Sequence, residues 1–346
     1  MSQPTIEYLK QLTAIASPTG FTDQIIQYLQ NELQSMGYVV KKSNKGGLIV
    51  TVVGENQAQH RFVTAHVDTL GAMVRAIKPN GRLKIDLIGG FTYSSIEGEN
   101  CLIHLAENNQ TISGTILMHQ TSVHVYKDAR TAERNQENME VRLDEKVSTA
   151  QEVKDLGIQV GDFISFDART VVTPNGFVKS RHLDDKVSAA ILMNQLRLIK
   201  ENQLSLPYTT HFAFSTYEEV GLGMNSGIPS ETIEYLAVDM GAMGDDQQTD
   251  EYSVSICVKD ASGPYHYGLR KHLVQLAQAH QIPYQLDIYP YYGSDASAAM
   301  RAGAEVKHAL LGAGIESSHA YERTHLESIQ ATEALVHRYL FSPLAD

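Results

Sequence analysis

The chain has 346 residues, of which 42% are hydrophobic and 20% are charged, and its formal net charge is −12. This composition is typical of a globular protein with one large or two ordinary domains, and the acidic balance argues against a nucleic-acid partner. No apolar run approaches the ~18 residues of a membrane span, the N-terminus lacks a secretory pattern, and the two cysteines, Cys101 and Cys257, supply no disulfide framework. We therefore expect a cytoplasmic protein with no membrane partner.

Helices and strands alternate in the predicted elements on both sides of a central region. Apolar residues at helical spacing predict helices over 4–16 and 22–36, and the strands GLIVTVV and RFVTAHVD follow them. The later strands are THFAFSTYEE, IEYLAVDM, YSVSICVKD and KHALLGAG, with helices over about 185–200, 266–280 and 326–341. The alternation predicts an α/β fold, a three-layer sandwich with a mostly parallel central sheet.

The central region has a different pattern. Short strands separated by Asn-Gly and Ser-Gly turns are typical of a small β-barrel-like domain. We expect this domain to occupy 72–164 as an insertion, so that 1–71 and 165–346 form one discontinuous catalytic domain. The polar stretch around 127–155 is expected to be a solvated loop with a helix.

Polar residues stand at the expected strand ends, and in an open α/β sheet ligands bind outside the carboxyl ends of the strands. In TAHVDTLG, His66 and Asp68 point to the same face of the strand. Asp68 could fix the tautomer of a metal-binding His66; the alternative is an ordinary strand-end turn. In LDDK, Asp184 and Asp185 either cap the following helix or supply a carboxylate that bridges two metals.

Two adjacent glutamates, Glu218 and Glu219, follow an apolar strand in FSTYEEVGLG. If Glu219 binds a metal, Glu218 can remain near the metal-bound water as a base, because the two carboxylates then titrate differently. The alternative is an exposed acidic turn. Asp239 in YLAVDMGA is either a ligand or the cap of a turn. His319 lies in the loop GIESSHAYERTH and is either a ligand or structural.

Considered together, two histidines and three carboxylates at separate strand ends match a two-metal hydrolase site. Zn²⁺ and Co²⁺ both accept such a mixed nitrogen and oxygen set, and no cysteine is needed. Two such ions would lie roughly 3.5–4 Å apart. The spare glutamate would take a proton from the water that bridges them.

The order of these motifs resembles the glutamyl aminopeptidase family, metallopeptidase family 42, also called the tetrahedral aminopeptidases. The motifs are HVD before an insertion, LDDK, EEVG, VDMG and a late SSH, and the resemblance covers essentially the whole chain. It implies a di-zinc peptidase-like fold and metal-dependent release of N-terminal amino acids from short peptides. It also implies a homo-oligomer built from dimers, with a tetrahedral dodecamer as the family's assembly and the inserted domain forming contacts between subunits.

The resemblance also implies a role for each site residue. The implied ligands of two divalent ions per subunit, Zn²⁺ or Co²⁺, are His66 and Asp239 for one ion, Glu219 and His319 for the other, and Asp184 between them. The peptide joining Asp184 to Asp185 would be cis. Glu218 would act as the general base and then as the acid that protonates the leaving amine. Asp68 would orient His66.

Three positions depart from the usual pattern of the family. Thr69 stands where members often have an acid, Lys186 stands where an arginine is more usual, and GSDA at 293–296 replaces GTDA. The ligands and base are untouched, so only the preferred substrate is open, and a glutamyl preference is not assumed. Asp295 either helps to select the substrate or is an exposed turn acid.

Two other functions remain open from the sequence. A related two-metal amidohydrolase, such as a carboxypeptidase or an N-acyl amino acid deacylase, would share the ligands but recognise a substrate carboxylate, generally through an arginine that no motif here provides. A catalytically inactive assembly protein is the second alternative, and the complete set of ligands and base argues against it.

Overall fold

The computed structural model describes residues 2–346 and divides the chain into two units. One unit comprises the chain up to Asp68 together with Arg169–Asp346, and the other comprises Thr69–Ala168. None of the helices in this described part combines the length and the apolar character that crossing a bilayer requires.

The helices and strands follow the predicted order. The helices are α1 (Ser2–Ala14), α2 (Asp23–Ser35), α3 (Ala150–Asp155), α4 (Leu183–Glu201), α5 (Tyr267–Ala279), α6 (Asp295–Arg301) and α7 (Leu326–Leu340). The strands are β1 (Val40–Lys42), β2 (Leu48–Val52), β3 (Asn56–His66), β4 (Gly71–Ile77), β5 (Leu83–Ile88), β6 (Asn100–His104), β7 (Thr111–Met118), β8 (Met139–Leu143), β9 (Phe163–Phe166), β10 (Val171–Val172), β11 (Phe177–Ser180), β12 (Tyr208–Ser215), β13 (Thr232–Ala242), β14 (Val254–Asp260), β15 (Gly263–Pro264), β16 (Tyr284–Ile288), β17 (Lys307–Ile315) and β18 (Glu322–His325).

A nine-stranded sheet forms the centre of the first unit. Its order is β1-β2-β12-β3-β13-β17-β14-β15, with β16 paired to β14. Strands β12, β3, β13 and β17 run parallel to one another, whereas β2 is antiparallel to β12 and β14 is antiparallel to β17. The central sheet is therefore mostly parallel, as predicted, with antiparallel strands towards its edges.

Helices cover both faces of this sheet. Successive residues of a strand face opposite sides, and on β3 Val63 packs in the larger core with Leu9 and Leu192. Phe62, the preceding residue, faces the opposite side of the sheet and packs in a second core with Tyr235 and with residues of α6. The burial of both faces explains why the strands read as continuous apolar runs. The predicted three-layer α/β sandwich is confirmed.

The second unit contains a closed barrel of strands in the order β4-β5-β8-β7-β6-β9. Its core includes Val74, Ile85, Ile116, Val141 and Ile164. The prediction of a solvated loop around 127–155 is wrong in part, because β8 lies there and closes the barrel between β5 and β7. The sequence MEVRL is too short and too polar in its flanks to stand out as a strand, although its alternate residues are buried.

Candidate metal centre

The candidate site is built at the carboxyl ends of the central parallel strands. His66 is the last residue of β3 and pairs in register with Ser215, the last residue of β12. Asp239 lies near the end of β13 and is paired with Gly312 of β17. A Cβ atom added to Gly312 would lie 1.8 Å from the Asp239 carbonyl oxygen, so glycine is needed where these two strands meet.

The carboxylate of Asp184 lies between two imidazoles. Its Oδ1 atom is 3.0 Å from Nε2 of His66, and its Oδ2 atom is 3.2 Å from Nε2 of His319. Asp184 is only 6% exposed, and the peptide joining it to Asp185 is cis, as the resemblance implied. The two histidines are more than 250 positions apart in the sequence, yet the structure brings both to the same carboxylate. One carboxylate with a nitrogen donor facing each oxygen is suited to bridge two ions.

The two adjacent glutamates reach this centre from a turn after β12. Glu219 Oε2 lies 3.6 Å from His319 Nε2, and Glu218 Oε2 lies 3.7 Å from His66 Nε2. Their side chains are 3% and 14% exposed, so the turn is not an exposed acidic one. Tyr217 before them adopts a left-handed backbone with φ of 69°, a conformation uncommon for residues other than glycine.

The ligand atoms form two overlapping groups. His66, Glu218 and Asp239 offer donor atoms that all lie within 4.8 Å of one another, and His66, Asp184 and Glu219 do the same. The predicted base, Glu218, therefore lies as close to His66 Nε2 (3.7 Å) as the predicted ligand Glu219 lies to His319 Nε2 (3.6 Å). The structure brings together the five predicted ligands, the predicted base Glu218 and Asp68.

Asp68 has contacts that the sequence analysis did not anticipate. Nδ1 of His66 lies 3.0 Å from the backbone carbonyl oxygen of Asp68 and 3.5 Å from its carboxylate Oδ1, so the carbonyl is the nearer acceptor. The carboxylate instead accepts hydrogen bonds from the backbone N–H groups of Glu218 and Glu219 and from the Thr19 hydroxyl. Asp68 therefore contacts both the first histidine and the glutamate turn.

The site carboxyls are difficult to ionise in the protein alone. Burial, with the charge of Asp184 next, raises the pKa of Glu219 to about 8 and that of Asp239 to about 7. Burial likewise raises the pKa of Glu218 well above its usual range. Although burial opposes it, hydrogen bonding to the two imidazoles keeps the pKa of Asp184 below its usual value. A divalent cation would favour the ionised forms of all these groups.

The residues present fit a pair of divalent cations. Oε1 of Glu219 is buried and has no hydrogen-bond partner among the described residues, which is a costly state for a carboxylate oxygen unless a cation compensates it. The donor set of imidazole nitrogens and carboxylate oxygens suits Zn²⁺ or Co²⁺. Both the unpaired oxygen and the chemistry of the donors therefore favour metal binding at this centre.

Two other residues close to the predicted motifs have different contacts. His325 is the N-cap of α7, where its ring accepts a hydrogen bond from the Glu327 N–H and contacts the Asn175 carbonyl oxygen at 2.9 Å. Asp295 is not an exposed turn acid, because it is 2% exposed. Its Oδ1 accepts a hydrogen bond from the Met224 N–H at 2.8 Å and so anchors the turn that carries the two glutamates.

Two further acidic residues lie in the centre: Asp185, which the sequence analysis considered with Asp184 as a cap or a bridging carboxylate, and Glu322, which it did not single out. Asp185 Oδ2 accepts a hydrogen bond from the backbone N–H of His66. Glu322, which is 2% exposed, accepts hydrogen bonds from the backbone N–H groups of Asp184 and His319. The tandem Asp-Asp motif pointed to Asp185, whereas Glu322 was one acid in a loop and no sequence feature distinguished it.

Comparisons with known proteins agree on one family. The family model described as M42 glutamyl aminopeptidase matches residues 46–335. The chain is 60% identical over 340 residues to the YhfE protein of Bacillus subtilis (strain 168), with 98% of each chain covered. The TET aminopeptidase of Thaumarchaeota archaeon SCGC AB-539-E09 has a TM-score of 0.88 at 19% identity, covering 97% of this chain and 96% of that one.

A further solved structure is that of the Pyrococcus horikoshii TET1 peptidase, which can assemble into a tetrahedron or a large octahedral shell. Its TM-score is 0.85 at 23% identity, covering 98% of this chain and 100% of that one. At this level of identity the two structural likenesses show a shared fold.

Proposed function

The chain belongs to the M42 glutamyl aminopeptidase family, and we propose that it is a metal-dependent aminopeptidase that releases N-terminal amino acids from short peptides. The observation that carries the proposal is the position of Asp184, with one carboxylate oxygen 3.0 Å from His66 Nε2 and the other 3.2 Å from His319 Nε2. A carboxylate in this position could be shared by two divalent ions, which is the arrangement that supports two-metal hydrolysis.

Five side chains would hold two divalent ions, Zn²⁺ or Co²⁺. One ion would be held by His66 and Asp239, the other by Glu219 and His319, and Asp184 would be shared. When bound, such ions would polarise the scissile carbonyl and would lower the pKa of a water molecule towards about 7. The buried oxygen of Glu219 that lacks a partner supports its assignment as a ligand.

Glu218 is the proposed proton carrier. Its carboxylate takes a proton from the attacking water and gives it to the departing amine, a role that suits a carboxyl whose pKa is raised by burial. The turn that presents it is held by Asp68, which accepts hydrogen bonds from the N–H groups of Glu218 and Glu219 at 3.2 and 3.3 Å. Asp68 is thereby proposed to orient the base as well as His66.

We also propose that the chain works as a cytoplasmic homo-oligomer, either a dimer or a tetrahedral dodecamer built from dimers. The Pyrococcus horikoshii relative assembles into closed shells, and the unit Thr69–Ala168 is proposed to form contacts between subunits. The two cysteines are buried free thiols, which supports a reducing compartment.

A substrate panel tests the proposed activity. The purified chain is stripped with a chelator, reloaded with Co²⁺ or Zn²⁺, and assayed against aminoacyl anilides with a free amine and against the same anilides after N-acetylation. We expect hydrolysis of the free-amine substrates only, lost on chelation and restored by metal. Preference for the acetylated set would favour a related amidohydrolase, and no hydrolysis with either metal would favour an inactive assembly protein.

A further inference from the structure

Glu322 joins two segments of the metal centre through one buried carboxylate. Its Oε2 atom accepts a hydrogen bond from the backbone N–H of Asp184 at 3.1 Å, and its Oε1 atom accepts one from the backbone N–H of His319 at 3.0 Å. Each oxygen therefore serves a different segment, and the residue is 2% exposed.

The two segments that it joins come from distant parts of the chain. Asp184 lies at the start of α4, while His319 lies in the loop after β17 and adopts a left-handed backbone with φ of 65°. Glu322 begins β18, which pairs with β11 so that Glu322 lies opposite Ser180, a few residues before Asp184. The backbone register and the side chain of Glu322 thus fix the same pair of segments.

We propose that Glu322 is a positioning residue that sets the distance between the bridging Asp184 and the ligand His319. It thereby determines the affinity of the site for the second divalent ion, which is the ion that Glu219 and His319 would hold. The inference rests on the proposed metal-dependent function. Partners that hold metal ligands in place typically contribute about 10–100-fold to metal affinity.

The chemistry of the contact requires a carboxylate. Both oxygens accept a hydrogen bond, whereas the amide of glutamine offers only one acceptor and would turn an NH₂ group towards the other backbone N–H. Glutamine therefore matches the size of Glu322 but releases one of the two segments. Aspartate keeps both acceptors on a side chain shorter by one methylene.

Titration of metal into the chelated protein, followed by calorimetry and by the Co²⁺ absorption spectrum, tests the role. In Glu322→Gln we expect the first ion to bind as in the parent and the second to bind about 10–100-fold more weakly, with turnover recovering as Co²⁺ is raised. In Glu322→Asp we expect a smaller loss for the second ion. The affinity for each ion is therefore measured independently of turnover.

Glu333→Gln is the matched control. Glu333 is also a glutamate that is 2% exposed, but its carboxylate accepts hydrogen bonds from Thr5 and Asn194, so its variant should bind both ions like the parent. Parental affinity for both ions in Glu322→Gln, or an equal loss for both ions, would overturn the proposed role. A parent chain that binds no divalent ion would overturn the proposed function and this role with it.

Discussion

Replacement of Glu218 by glutamine tests whether this residue acts as the base and not as a metal ligand. Glutamine keeps the size of the side chain, and the backbone N–H of residue 218 still reaches Asp68, so the turn should keep its place. What is lost is the ability to accept a proton. General acid–base groups contribute about 10²–10⁴-fold to rate, which corresponds to about 3–5 kcal/mol of transition-state stabilisation.

The assay combines turnover with metal content. We expect Glu218→Gln to lose about 10²–10⁴-fold in kcat on a free-amine anilide while keeping both ions by elemental analysis. Glu219→Gln is the matched control, since it should keep the base and lose the second ion. The metal content matters because Glu218 shares a group of close donor atoms with His66 and Asp239. Parental turnover would refute Glu218 as the base, and loss of an ion would make it a ligand.

Two further substitutions test the surroundings of the site and the core. A Cβ atom at residue 223 would lie 1.7 Å from Asp295 Oδ1, so Gly223→Ala should displace the glutamate turn, lower kcat and lower the free energy of unfolding by about 1–3 kcal/mol. Gly90→Ala is the control and should change neither quantity, because the added atom meets nothing within 4 Å. If Gly223→Ala has parental kcat and stability, the packing argument is wrong. Burial, with the His60 charge next, lowers the pKa of His211 from 6.5 to about 4, so its contribution to stability is present above pH 6.5 and is lost as the pH falls towards 4. His211→Gln should therefore flatten part of the loss of stability over this range, measured by urea unfolding of the chelated protein, and an unchanged pH profile would count against it.

The longer helices and strands of the unit that comprises the chain up to Asp68 and Arg169–Asp346 could be predicted because their local sequence patterns agree with their final packing. The helices expected over 185–200, 266–280 and 326–341 are α4, α5 and α7 with ends shifted by one or two residues. Strands buried on both faces left continuous apolar runs. Strand β8 was not predicted because it has only five residues and lies within a polar stretch. The alternation of apolar and polar residues over so short a segment is too weak to predict a strand.

The site could be predicted in its members but not in its contacts. Polar residues at the ends of apolar strands indicated His66, Asp239 and the glutamate pair, because such ends meet at one edge of a parallel sheet. The resemblance implied His319 as a ligand, and the structure places its Nε2 atom 3.2 Å from Asp184 Oδ2, whereas His325 is the N-cap of α7.

Hydrogen bonds between distant segments could not be predicted from the sequence. Nothing in the local pattern shows that the carboxylate of Asp68 binds the N–H groups of the glutamate turn, or that Glu322 joins Asp184 to His319. These contacts depend on chain segments brought together by the whole sheet.

Anomalous diffraction from crystals soaked in Zn²⁺ or Co²⁺ would test the existence of the two-metal centre most directly. The proposed site predicts two peaks roughly 3.5–4 Å apart, one beside His66 and Asp239, the other beside Glu219 and His319, with Asp184 between them. A map with no peak at these side chains, or with a single ion that does not contact Asp184, would contradict it.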